Sequence, residues 1–174
     1  MISEKLTKAL NDQVNAEYYS AYLYHSMSAC MECLALKGAA SWLFNQAKEE
    51  MAHGINLYQY ILDRGATPVL SAIKEPTANF KDIKEVFEAV LEHEQKVTKM
   101  INDIATLAMK ENDHACYQFI MWYVNEQVEE ESNAADILSK INMIGSDKGL
   151  LLSLDNELAT RTYTNPFPNN PKLM

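Results

Sequence analysis

DIKEVFEAVLEHEQKVTKMINDIATLAMK, residues 82–110, decides the fold. Alternating steps of four and three residues pick out Ile83, Phe87, Val90, Glu94, Val97, Ile101, Ile104 and Ala108. These positions share one face of a helix and form the apolar seam of a bundle. One member is out of place: Glu94 stands where a hydrophobe belongs. A buried carboxylate costs several kcal/mol unless it is paired or bound, so the seam raises the question of what lies opposite Glu94.

The same stepping recurs on both sides of this stretch. Towards the N-terminus it gives Leu6, Leu10, Gln13, Glu17, Ser20, Tyr24, Met27, Met31 and Leu34, interrupted by Glu17 and Tyr24. Around AKEEMAHG, residues 47–54, it gives Leu43, Gln46, Glu50, His53, Leu57 and Tyr60. Towards the C-terminus it gives Ile120, Tyr123, Gln127, Glu130, Ala134, Ile137, Ile141 and Ile144, interrupted by Gln127 and Glu130. Gly65 with Pro68, the Asp82 and Glu85 capping box, Asn112 with Asp113, and Gly145 mark the ends. Helices are predicted at about 4–35, 39–64, 82–111, 114–144 and 148–158, four long and one short.

Composition agrees. The chain has 174 residues, 48% of them hydrophobic, which suits one domain with a substantial core. Of five Pro, three fall in the last nine residues, so helix breakers are scarce elsewhere. The formal net charge is -9, with 15 basic against 24 acidic residues, and no basic cluster carries interleaved aromatics. A nucleic-acid partner is not expected, and an acidic surface of this kind attracts cations. MISEKLTKAL has no apolar core of a signal peptide and no run is long enough for a membrane span, so a cytoplasmic protein without a membrane partner is expected. Cys30, Cys33 and Cys116 are read as small buried apolar residues, without a disulfide or a zinc site. His25, His93 and His114 lie off the seams and are read as surface or flank residues.

Each set of polar intruders sits near the middle of its helix, so packing brings them to one level of the core. Four carboxylates there, Glu17, Glu50, Glu94 and Glu130, would repel one another, and no Lys or Arg occupies the seams. The compensating charge is therefore expected from outside, and two divalent cations match four carboxylates in formal charge. A His among mostly oxygen ligands suits iron or manganese better than calcium, magnesium or structural zinc. By the same seam argument, Glu94→Leu should stabilise the metal-free chain by about 1–4 kcal/mol.

Between Gly65 and Asp82 lies ATPVLSAIKEPTANFK, about 16 residues without helical periodicity and able to span roughly 50 Å. A helix of about 26 residues is only about 40 Å long. The segment can cross the whole bundle and make the second and third helices parallel, while short connections elsewhere require antiparallel neighbours. This is a four-helix bundle with one long crossover.

With Glu17 and Tyr24, EEMAH at 49–53, Glu94 in LEHEQ and NEQVEEE at 125–131, the chain resembles a bacterial or archaeal non-haem ferritin over residues 1 to about 160. The resemblance implies an all-α, ferritin-like four-helix bundle with one long crossover loop and a short fifth C-terminal helix. It implies that residues 1–160 form the di-iron domain and 161–174 a C-terminal tail. It implies a 24-subunit hollow shell that oxidises Fe(II) with O2 or H2O2 at an intrasubunit centre and stores ferric oxyhydroxide. Carried over by position, one iron is held by Glu17, Glu50 and His53, and the second by Glu50, Glu94 and Glu130. Gln127 assists through a water or oxygen ligand, and Tyr24 hydrogen-bonds a ligand. A third, weaker iron site draws on Glu49, Glu126, Glu129 and Glu130, whose alternative reading is a solvated acidic face.

Related families fit less well. Bacterioferritin-like centres carry Glu and His where this chain has Gln127 and Glu130, so no haem is expected despite Met51. The positions that are acidic in the three-fold channel of animal heavy-chain ferritins are Tyr117 and Ile120 here, which argues against a strongly acidic entry by that route. Trp122 and Tyr123 are read as packing aromatics, and the tail TRTYTNPFPNNPKLM is assigned no helix and no chemistry. A non-oxidising structural or nucleating shell subunit, and a di-iron oxidase or peroxide-detoxifying relative, are the competing functions.

Overall fold

The computed structural model describes residues 2–168 and contains five helices: α1 (Glu4–Cys33), α2 (Lys37–Asp63), α3 (Ile83–Lys110), α4 (His114–Ile144) and α5 (Lys148–Leu158). Each lies within two residues of its sequence-based prediction. The caps explain the boundaries. Ser3, Asp82 and Asp113 accept the backbone N–H of Leu6, Glu85 and Cys116 at 3.1, 2.9 and 2.9 Å. Glu85 returns to the backbone at Lys81 N, 2.8 Å away, so its reciprocal bond falls one residue before the cap. Helices α1, α2 and α3 are followed by left-handed residues, Ala35 (φ 60°), Gly65 (φ 75°) and Asn112 (φ 55°). At each turn the next backbone N–H reaches back to a carbonyl of the last helical turn, as in Leu36 N to Met31 O at 3.0 Å.

The short turns make α1 and α2, and α3 and α4, antiparallel pairs. The crossover at 66–81 contains no helix and runs along α1, bonding at successive levels. Val69 N donates to Asn11 Oδ1 (2.7 Å), Ser26 Oγ to Thr77 O (3.0 Å) and Cys30 Sγ to Phe80 O (3.4 Å). The segment thus carries the chain from one end of the bundle to the other and makes α2 and α3 parallel.

Among the cysteines, Cys116 is buried as expected, but Cys30 is half-buried and Cys33 exposed. Met31, in the same last turn of α1, is fully buried, so Cys30 and Cys33 differ from it by the side of the helix they occupy, not by their level. His25 and His114 are exposed and His93 half-buried, as expected for residues off the seams.

Two apolar blocks fill the bundle. One gathers Met27, Met31, Leu43, Phe87 and Val90, and the other Leu6, Leu10, Leu57, Ile101 and Ile120. Between the blocks lies the polar layer, with Glu17, Glu50, His53, Glu94, Gln127 and Glu130 all buried. The fifth helix docks against α2 through a close backbone approach. Asp155 Oδ1 accepts Ala39 N at 2.8 Å, capping an α2 N-terminus whose own cap residue, Leu36, supplies no side-chain bond. A Cβ on Gly38 would sit 1.6 Å from the Asp155 carbonyl oxygen. Gly38→Ala is therefore expected to dislodge α5 and lower stability by about 3 kcal/mol or more, well beyond an ordinary surface change. Denaturant unfolding of the purified variant measures it.

Candidate metal centre

The polar layer is assembled from all four long helices. From α1 come Gln13, Glu17 and Tyr24; from α2 Gln46, Glu49, Glu50 and His53; from α3 Glu94; and from α4 Glu126, Gln127 and Glu130. Glycine at position 54, a helix-interior residue that normally costs about 1 kcal/mol relative to Ala, has a steric reason. A Cβ there would meet the Tyr18 ring at 2.5 Å. Gly54 lets α1 and α2 close up beside Glu17 and His53.

Two groups of three side chains offer ligand atoms within 4.8 Å of one another: Glu17, Glu50 and His53, and Glu49, His53 and Glu126. His53 belongs to both. Its Nδ1 faces Glu50 Oε2 at 3.3 Å, and its Nε2 points towards Glu126 Oε1 at 4.0 Å. Among the described residues, that Nε2 is buried without a hydrogen-bond partner, as is Gln13 Oε1. Orphaned buried polar atoms are rare in proteins, and here both lie beside carboxylates that could share a cation.

Glu94 and Glu130 are held differently. Tyr24 donates to Glu94 Oε1, and Gln127 Nε2 donates to Glu94 Oε2 at 3.0 Å. Gln46 Nε2 donates to Glu50 Oε1 at 3.1 Å and to Glu130 Oε1 at 2.7 Å, bridging the two carboxylates. Glu50, Glu94 and Glu130 share the layer, but among the described residues they do not converge into a tight group. Glu129 is exposed and lies outside both groups. The Tyr24 and Gln127 bonds also revise the Glu94→Leu expectation. Leucine would leave the Tyr24 hydroxyl buried without its acceptor, at about 1–3 kcal/mol, while Gln127 Nε2 keeps the residue 94 carbonyl and Thr98 Oγ1 at 3.3 Å each; the loss at Tyr24 offsets much of the gain from removing the carboxylate.

Electrostatics keep the layer close to neutral. Burial pushes Glu17 well above the usual carboxylate range, and the neighbouring Glu50 charge pushes it further. Burial, with Glu50 and then Glu94, does the same to Glu130. Burial and Glu50 raise Glu94 to about 7. Glu50 goes the other way: burial opposes its ionisation, but the bond and charge of His53 lower it. Burial alone would depress His53, yet its hydrogen bond to Glu50 and the charges of Glu50, Glu17 and Glu130 raise it to about 10. Near neutral pH the metal-free centre is thus one buried imidazolium–carboxylate pair among carboxyls that burial pushes towards the protonated form, with Glu94 near its midpoint, and a metal ion entering it displaces protons.

Several flanking residues carry more than the sequence disclosed. Gln13 Nε2 donates to Glu17 Oε1 at 2.9 Å, so Gln13 and Gln46 support ligand-type carboxylates. Both interrupt apolar seams, and that was the available signal. His93 sits behind Tyr24, its Nε2 2.7 Å from Ser20 Oγ. Tyr123 packs as expected and is fixed, donating to His53 O at 2.9 Å and accepting from Asn56 at 3.0 Å. Ile120 is fully buried and so faces the bundle core. The tail, assigned no chemistry, does reach the centre. Arg161 Nη2 donates to Glu49 Oε2 at 2.7 Å, Arg161 Nη1 bonds Gln46, and Phe167 packs against Trp122. A cation therefore comes to the layer from the tail, and the absence of Lys and Arg from the seams could not show this.

A helical bundle with one long crossover, split at mid-height by a buried carboxylate and histidine layer, defines the ferritin-like class of metal-binding bundles. Residues 7–144 match the family described as "Ferritin-like domain", and the chain belongs to the ferritin family. It is 42% identical over 159 residues to the Haemophilus influenzae "Probable bacterial non-heme ferritin-like protein", covering 91% of this chain and 96% of that one. It is 38% identical over 163 residues to a Staphylococcus aureus "Bacterial non-heme ferritin", covering 94% and 98%. Its fold superposes on the open pore ferritin of Archaeoglobus fulgidus with a TM-score of 0.92 and 46% identity, over 93% of this chain and 100% of that one.

Proposed function

We propose that the protein is an iron-storage ferritin with ferroxidase activity. The observation that carries this reading is the donor set of Glu17, Glu50 and His53 in a sealed layer, with ligand atoms within 4.8 Å. Iron is the substrate. Glu17, Glu50 and His53 hold one Fe(II), and Glu50, Glu94 and Glu130 the second, with Glu50 common to both. In the metal-free centre the Gln46 amide lies between Glu50 and Glu130, where the second ion would bring its charge. Tyr24 and Gln127 orient Glu94.

Each Fe(II) loses one electron. O2 takes both electrons with two protons to give H2O2, or H2O2 takes both with two protons to give two waters. Carboxylates stabilise Fe(III) more than Fe(II), which drives the oxidation. Each Fe(III) then hydrolyses with two waters to FeO(OH), releasing three protons. A third site at Glu49 and Glu126, with Glu129 and Glu130 nearby, receives iron leaving the centre. No haem is required.

The active form is a homo-oligomeric shell of 24 subunits in the cytoplasm. Tyr22, Phe44, Met51, Ile55 and Leu62 on α1 and α2 are 36–56% exposed, and Leu150 and Leu152 on α5 are 53% and 61% exposed. So many exposed large hydrophobes are usual for faces that meet another subunit. Free thiols at Cys30 and Cys33 suit a reducing compartment. Among the described residues no helix is long and apolar enough to cross a membrane. The test combines light scattering with stopped-flow oxidation at two Fe(II) per subunit. With 24 copies of a 19.7 kDa chain, a particle of about 470 kDa and a fast oxidation phase are expected. A stable monomer at micromolar concentration would overturn the storage reading, and absence of the fast phase would overturn the ferroxidase.

A further inference from the structure

The segment after α5 turns back over the α2 and α4 side of the centre. Asn45 Nδ2 anchors it by donating to Arg161 O at 2.9 Å. The Arg161 guanidinium lies 4.4 Å from the Trp42 ring centroid, pairs with Glu49 at 2.7 Å and donates to Gln46 Oε1. Six residues later, Phe167 packs against Trp122 in a tilted arrangement, centroids 4.6 Å apart, and meets the His53 ring edge-on at 6.1 Å; among the described residues the His53 Nε2 has no hydrogen-bond partner.

This geometry acts on the centre in two ways. An amide has one oxygen. Because Arg161 occupies the Gln46 oxygen, the Gln46 NH2 group must face Glu50 and Glu130, and the tail sets an orientation felt by two centre carboxylates. The second effect is competition. Arg161 sits on Glu49 Oε2, and a metal ion on the other oxygen of the same carboxylate would lie close to the guanidinium; the two cations repel, so each weakens the other's hold on Glu49. The Glu49, His53 and Glu126 group is therefore already supplied with a tethered positive charge at one of its members.

We propose that Arg161 to Phe167 form a latch on this centre. Arg161 holds the Glu49 position and orients Gln46, Phe167 packs edge-on against the His53 ring, and a metal ion arriving at the third site displaces the latch. The proposal rests on the third-site reading given above. It makes Arg161 a positioning residue that acts through Gln46 and Glu49, and it links escape of iron from the centre to movement of the tail.

The chain contains two Trp, and each touches one end of the latch, so intrinsic fluorescence reports its release. Zn(II), which undergoes no redox step, serves as the probe in the assembled full-length protein. Stoichiometry is followed by calorimetry and the latch by tryptophan emission. In the wild type, binding of the third Zn(II) per subunit should be weak and accompanied by an emission change. Arg161→Gln should bind that ion about three- to tenfold more tightly, the scale of a partly buried ion pair. Arg161→Lys, which keeps the charge, should stay near the wild-type affinity, and Phe167→Ala should lose most of the emission change. Equal third-ion affinity in wild type and Arg161→Gln, or a wild-type third step without an emission change, would overturn the latch and leave the third site standing. If wild type and Arg161→Gln both bind two ions and no third, the third-site reading falls and the latch with it.

Discussion

Glu50→Ala should slow the fast phase of Fe(II) oxidation about 100-fold or more, the scale seen when a principal charge-stabilising group is removed. Glu50 reaches more of the centre than any neighbour. It meets His53 at 3.3 Å, receives Gln46 at 3.1 Å, and its charge raises Glu17, Glu94 and Glu130. Under the proposed function it is common to both iron ions, so its loss removes a ligand from each. Glu129→Ala is the matched control. Glu129 is exposed and outside the tight groups, so the first turnover at two Fe(II) per subunit should stay within about twofold of wild type. Stopped-flow absorbance compares the two. Equal loss in both variants would show that the primary and third sites are divided wrongly.

Glu94→Gln should separate stability from activity. Glutamine keeps the shape and an acceptor for Tyr24, and Gln127 can turn its amide oxygen to meet the new NH2 group, so the Tyr24 hydroxyl that leucine would orphan remains satisfied. The charge is what changes. Burial and Glu50 hold the folded-state Glu94 at about 7, above its ordinary 4.5. Between those values the unfolded chain has released this proton and the folded chain retains it. Wild-type stability therefore falls as pH rises through that window, at up to about 1.4 kcal/mol per pH unit, and levels off above it. Glutamine does not titrate. Metal-free variant and wild type should unfold at similar denaturant concentrations near pH 4.5, and at pH 8 the variant should be more stable by about 1–3 kcal/mol. The His53 contribution, lost as pH rises from 6.5 towards about 10, is present in both proteins and does not create the difference. Coupled oxidation should fail in the variant because the second iron loses an anionic ligand. A variant no more stable at pH 8 than at pH 4.5 relative to wild type would mean that Glu94 carries no buried charge. Wild-type oxidation would mean that it is not a ligand.

Helix placement and the layer's height were legible because seam spacing, caps and breakers are local properties of the chain. The four-three stepping placed Glu17, Glu50, His53, Glu94 and Glu130 on inward faces near mid-helix, and the structure buries all five between two apolar blocks. The 16-residue crossover was legible because its reach exceeds a helix length. Boundaries moved by a residue or two where a left-handed residue ends the helix, as at Ala35, whose side chain gives no sign of that conformation.

What the sequence by itself determined was therefore the bundle, its parallel and antiparallel order, and the level at which polar side chains meet. The partners within that level were decided by the tertiary structure alone. Periodicity tells which way a side chain points and nothing about rotamers across helices, so it could not place Gln46 between Glu50 and Glu130 or give His53 one nitrogen for each acidic group. Nor could it find Arg161. Its ion pair with Glu49 spans 112 positions and depends on Gly38 letting α5 dock, on α5 ending at Leu158, and on Asn45 holding the returning backbone. Contacts of that separation form only when the chain closes on itself, and local pattern holds no record of them.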